Sequence, residues 1–179
     1  MLVIDMLNDF LDNWAATRRN QLCASTNELV GLIRDHRHPV LWVRQEFAPD
    51  LSDAFPEMRL KGIRTTIRGT PGCEIVPELE VAPADHVVTK KRYSAFYGTE
   101  LDSLLERLGP RALILAGINT SSCVLCCAFE ATNRDFRVVI AADAVDSMDG
   151  EEMHRFALRL MAATIGWPLG NAEILDALS

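Results

Sequence analysis

Three residues of this chain pair a reactive or ionisable side chain with an unusual setting: Asp5, Lys90 and Cys123. Asp5 interrupts the apolar run MLVIDM, where a carboxylate is costly to bury unless it is paired or protonated. Cys123 follows ALILAGINTSS and falls in the first turn of an expected helix. Free backbone N–H groups and the helix dipole favour an anion there and would lower the thiol's pKa. The turn before it, 117–122, can aim further N–H groups at a developing oxyanion. Lys90 follows HVVT, and an ammonium beside a carboxylate and a thiol would keep both ionised and stabilise charge in a transition state. Together these are a nucleophile, a proton carrier and a cation, the parts needed for acyl transfer. Each also has a plainer reading: an inert core thiol, a carboxylate tying loop amides, a solvated lysine. Lys91 stands beside Lys90, so only one of the two is expected to point inward. Asp9, in LNDF, fits the loop-tying role better than Asp5 does.

The elements that must position these residues follow from periodicity and turn residues. Met1 to Met6 reads as a fully buried parallel strand broken by Asp5. A helix is expected from about Arg18 to Arg34, and a strand at Val40 to Val43 after Pro39. Further strands are expected at His86 to Thr89, Ala112 to Ala116 and Arg137 to Ala141, with a short one near Ala172 to Leu175. Helices are expected over Thr99 to Leu108, Ser121 to Arg134 and Gly150 to Ala163. Residues 44–83 show no strong period and carry five prolines, which marks a functional or site-covering stretch. Strands alternating with helices predict a three-layer α/β/α sandwich around a central, mainly parallel sheet of about six strands, as one domain over 1–179. Ligands in such sheets sit beyond the carboxyl ends of the strands. Asp5, Lys90 and Cys123 all fall there, and would converge if their strands were neighbours.

Composition narrows the function classes. Apolar residues make up 49% and charged residues 24%, with a formal charge of −7 and scattered basic residues, a poor match to a nucleic-acid surface. No run suits a membrane span and no signal core opens the chain, so neither nucleic acid nor membrane is an expected partner, and a cytoplasmic location is. Five cysteines in irregular spacing argue for reduced thiols, and the Cys123–Cys126 pair lacks the second half of a zinc site.

Three segments carry a resemblance: VIDMLNDF at 3–10, VVTKKRYSAFYGTELDSLL at 87–105 and LILAGINTSSCVLCCAFEATNRDFRVVIAADAVDS at 113–147. In order and spacing they resemble the isochorismatase-like cysteine hydrolases, a family that includes nicotinamidases and N-carbamoylsarcosine amidases. The resemblance implies that Asp5 transfers protons, Lys90 is its cationic partner and Cys123 is the nucleophile. It also implies a cis peptide between Ile118 and Asn119, and an oxyanion hole from the N–H groups of Asn119 and Cys123. The expected reaction is cleavage of a small amide, carbamoyl or ureido compound through a thioester, with no cofactor. Phe10, Trp14, Tyr93 and Phe96 are expected to wall the substrate pocket, Phe10 and Phe96 foremost, while Tyr97 could belong to pocket or core. Arg44, Gln45 and Glu46 are candidates for substrate selection. A homo-oligomer is expected from the family alone.

Two departures matter. Leu7 stands where the family usually has glutamine, which could remove a polar pocket contact. The region LWVRQEFAPDL lacks the Asp-x-His pattern of metal-binding nicotinamidases, and the four histidines (His36, His38, His86, His154) lie elsewhere, so no metal is expected. An isochorismatase-type vinyl ether hydrolase and a catalytically silent interaction protein are the competing functions.

Overall fold

In a computed structural model, residues 1–178 are described; Ser179, the last residue of the expected domain, lies outside them. Six parallel strands form one sheet in the order β3-β2-β1-β4-β5-β6: β1 Leu2–Ile4, β2 Leu41–Gln45, β3 His86–Lys90, β4 Ala112–Ile118, β5 Arg137–Asp146 and β6 Trp167–Leu169. The short α1 (Asn8–Leu11) follows β1, and α2 (Ala16–Asp35) leads into β2. Alternate residues of β1 show why two layers of helix are needed: Leu2 and Ile4 face one core, Val3 the other. The first core takes Leu101, Leu104 and Leu105 of α4 (Leu101–Leu108), Cys127, Ala128 and Ala131 of α5 (Leu125–Thr132), and Met161 of α6 (Glu151–Thr164). The second takes Leu22, Leu29, Val30 and Ile33 of α2 and Ile174 of α7 (Asn171–Leu178). Burial on both faces explains the near-continuous apolar reading of these strands.

One expectation needs correction, and two open points are made definite. The stretch Ala172–Leu175 is helix, within α7, and the sixth strand lies earlier at Trp167–Leu169. Pro168 lacks an N–H, which suits the sheet edge, while Asn171 fixes the start of α7: its N–H donates to Asp143 Oδ2 and its side chain to Ser25 O. The strand bearing Lys90 does not adjoin the strand bearing Asp5, because β2 pairs with both and separates them. Residues 44–83 hold a short helix, α3 (Pro56–Lys61), and a 3-10 turn at Pro71–Cys73. Here Asp9 ties the loop: its Oδ2 accepts from Thr66 N at 2.5 Å, and it lies so close to Gly72 that a Cβ there would meet Oδ1 at 2.2 Å.

Candidate active site

Each of the three reactive residues leaves the sheet at its carboxyl edge by a distinct local device. Asp5, just past β1, turns the chain in the left-handed region at φ 55°, a conformation that aspartate tolerates better than most residues. Its N–H still donates to Val43 O of β2. Lys90 ends β3, in register with Gln45 of β2. Cys123 sits in a wide π-type turn, Thr120–Val124, where a helix from Ser121 was expected; the regular α-helix begins only at Leu125. Before this turn, Gly117 adopts φ 100°, and a Cβ there would fall 2.1 Å from Ile4 O, so only glycine lets β4 lie this close to β1. The peptide bond between Ile118 and Asn119 is cis.

The lysine side chain crosses over β2 to join the other two. Lys90 is fully buried, and its Nζ lies 2.7 Å from Asp5 Oδ2 and 3.5 Å from Cys123 Sγ, and donates to Arg92 O at 2.9 Å. Two hydrogen bonds and one ion pair thus hold the ammonium. Asp5 is less well served. Among the described residues neither carboxylate oxygen has an aligned hydrogen-bond donor, so the close approach of Lys90 is an ion pair and leaves acceptor capacity facing Cys123. Buried, under-satisfied acceptors are rare and call for an explanation.

The electrostatics correct one expectation. Cys123 is not poised as a thiolate: burial foremost, then the Asp5 charge, push its pKa well above the ordinary thiol value, and the opposing pull of Lys90 does not outweigh them. The same burial would discharge Lys90, but the Asp5 carboxylate overrides it and raises the lysine's pKa, so the ammonium persists. These directions favour a thiol beside an ammonium at rest, where a thiolate was expected. A thiolate forms when Asp5 takes its proton, and Lys90 is then the adjacent cation.

A cavity of about 350 Å³ opens onto this cluster, with Asp5, Asn119, Ser122 and Cys123 among its lining residues. Phe10 and Tyr93 line it, but Trp14 and Phe96 do not. Trp14 packs on the α2 side with Arg18 stacked 4.3 Å over its ring, and Phe96 is buried in the other core under Arg134. Tyr97 is exposed and also outside the lining. Gln45 lines the cavity, whereas Arg44 pairs with Glu46 and Glu74. Leu7 is buried and bridges to Ile75, away from the cavity, so the missing glutamine removes no pocket contact here. The rest of the wall, Phe55, Met58 and Ile63 with Glu57, comes from α3 and its flanks, which sequence reasoning missed. The signal available was Pro56 opening and Gly62 closing a helical turn; six residues are too few to show a period.

A family model, Isochorismatase domain, matches residues 1–173. The chain belongs to the isochorismatase family of hydrolases. A protein named ureidoacrylate amidohydrolase RutB from Methylorubrum extorquens is 31% identical over 156 residues, 78% of this chain; the match spans 63% of the relative's own length. A protein from Arabidopsis thaliana named probable inactive nicotinamidase is 31% identical over 80% of this chain and 78% of its own. The crystal structure of nicotinamidase PncA from Bacillus subtilis superposes with a TM-score of 0.82 at 30% identity, covering 94% of this chain and 97% of that one. The three-layer fold and the family expected from the sequence both hold.

Proposed function

We propose that this isochorismatase-family hydrolase is a cysteine amidase that cleaves the C–N bond of a small amide, carbamoyl or ureido compound. The observation that carries this is the meeting of Asp5, Lys90 and Cys123, remote in sequence, within 2.7 Å and 3.5 Å of one ammonium at the floor of a cavity. The names of the relatives, among them an amidohydrolase and a nicotinamidase, favour the same chemistry.

In this mechanism Asp5 takes the Cys123 Sγ proton, and the thiolate, held beside Lys90, attacks the carbonyl carbon. The N–H groups of Asn119 and Cys123 receive the oxyanion; those of Ser122 and Val124 are already engaged by Asn119 O. Protonated Asp5 then passes its proton to the nitrogen, the C–N bond breaks, and a thioester remains on Cys123. Water gives a proton to Asp5 as its oxygen attacks the thioester; the C–S bond breaks, an acid is released, and the proton returns to Cys123. The walls supplied by Phe10, Phe55, Met58, Ile63 and Tyr93 suit a compact substrate with an apolar body.

The reading assigns no metal or other cofactor. Among the described residues no three His, Cys, Asp or Glu side chains come together as a metal site. It also has the enzyme working in the cytoplasm, where five unpaired thiols stay reduced, as a homo-oligomer on a small-molecule substrate. Among the described residues no helix is long and apolar enough to cross a membrane.

The test is ammonia release across a panel of small primary amides and ureido compounds, by the wild type and by Cys123→Ala. The expected result is turnover by the wild type that survives dialysis against EDTA and vanishes in the variant. Turnover that persists in Cys123→Ala would remove the nucleophile and favour ether-hydrolase chemistry; no turnover on any member would favour the silent interaction protein.

A further inference from the structure

The turn that carries Cys123 is short, wide and without a side-chain cap of its own. Its internal hydrogen bonds, from Ser122 N and Val124 N to Asn119 O, fix its shape but not its placement over Asp5 and Lys90. Residues 146–154 add the side-chain hydrogen bonds that anchor its leading end. Thr120 Oγ1, fully buried, meets His154 Nδ1 at 2.9 Å. Ser121 Oγ lies 2.7 Å from Ser147 Oγ and donates to Asp149 Oδ2 at 2.5 Å. Asn119 Oδ1 accepts from Met148 N at 3.0 Å. Three consecutive residues of the nucleophile turn are thus held from the end of β5 and the start of α6. Asp146 Oδ1 lies 4.0 Å from the same Nδ1, beyond hydrogen-bond reach, and Asp146 is gripped by Arg18 Nε and Nη2 at 2.6 and 2.5 Å. Arg18 also donates to Ser147 O at 2.8 Å.

We propose that His154, beside the Asp146–Arg18 pair, is a positioning residue: through Thr120 it sets where Cys123 Sγ lies relative to Asp5 and Lys90. It touches none of the reacting atoms and does not line the main cavity. Its role follows from the tolerance of the chemistry, since a displacement of about 1 Å in a reacting group costs on the order of a hundredfold in rate. The hydrogen bond to Thr120 joins α6 to the turn: His154 lies in the first turn of that helix and its ring is mostly buried. The assignment rests on the proposed function only in naming Cys123 as the nucleophile; the placement itself can be read from the thiol.

The experiment follows the pH dependence of Cys123 alkylation by iodoacetamide, site-resolved by peptide mass spectrometry, in the wild type, His154→Ala, His154→Asn and Thr120→Val. Asparagine keeps a polar atom near the Nδ1 position, and valine keeps the shape of threonine without its hydroxyl. In the wild type, burial and Asp5 hold the thiol protonated at neutral pH. The expected result is that His154→Ala and Thr120→Val free the thiol and speed its alkylation at pH 7.5 at least tenfold, while His154→Asn stays within about twofold to threefold of the wild type. Where ammonia release is measurable, the first two variants lose kcat with little change in KM. Should His154→Ala not fold, Thr120→Val decides alone. Alkylation that keeps the wild-type profile in Thr120→Val, or falls equally out of it in the alanine and asparagine variants, overturns the proposal. A shifted alkylation profile in a protein that releases no ammonia would sink the amidase reading and leave the clamp standing.

Discussion

Two carboxylates at opposite ends of the sheet, Asp5 buried and Asp85 half-buried, are handled in opposite ways. Asp85, just before β3 at its amino end, is surrounded by donors: Oδ2 accepts from Arg34 Nη2 at 2.5 Å, Trp42 Nε1 at 2.8 Å and Ala82 N at 2.9 Å. Burial opposes its ionisation, but these donors prevail and hold its carboxyl below the ordinary value. Asp5, at the carboxyl end of β1, has an ion pair with Lys90 and no aligned hydrogen bond. A carboxylate that meets three donors on one oxygen is held as the anion and acts as a strut. One left partly unsatisfied beside a thiol can accept and return a proton. The difference between structure and chemistry here lies in the donors each carboxylate meets.

The sharpest way to break this comparison is Asp5→Asn. Amide turnover is expected to fall roughly a thousandfold, the scale of a lost general acid and base. Turnover that stays within about tenfold of the wild type would contradict the proton-transfer role of Asp5. Next comes Lys90→Met, which strands the buried Asp5 charge; urea unfolding should show a loss of about 3 to 5 kcal/mol. Lys90 cannot supply the basic limb of a pH–rate profile, because its raised pKa keeps it charged through the working range. At the other end, Asp85→Asn should cost about 1 to 3 kcal/mol and leave kcat unchanged. Its pKa is depressed by folding, so its stabilisation is present above the unfolded value of about 3.9 and lost as pH falls through the lower folded value. The variant's stability should therefore vary less over that acid range than the wild type's. The smallest effect is expected for Trp14→Phe, with KM within about twofold and up to about 1 kcal/mol lost with the Arg18 stacking.

What the sequence made legible divides along the same physical line. Local signals were readable: a continuous apolar run announces a strand buried on both faces, and a polar residue at its carboxyl end stands out, as Asp5 and Lys90 do. Strand order was not, since nothing in residues 2–4, 41–45 or 86–90 says that β2 lies between β1 and β3. Ring placement was equally hidden. Phe96 and Tyr93 sit three residues apart in one loop, and only the packing of Arg134 and α4 sends one to the core and the other to the cavity. The thiol's protonation also escaped prediction, because helix position argues for a lowered pKa while full burial and a carboxylate neighbour, both tertiary, reverse it. His154 had no signal beyond being a histidine, since its partner Thr120 lies 34 residues away.

The central claim is that Cys123 carries the acyl group. Its most direct test is intact-protein mass spectrometry after acid quench of the enzyme mixed with a turned-over amide. The account predicts a mass increase equal to the acyl fragment, mapped to Cys123 and absent from Cys123→Ala. Ammonia release at the wild-type rate by Cys123→Ala, or an acyl group found on another residue, would contradict it.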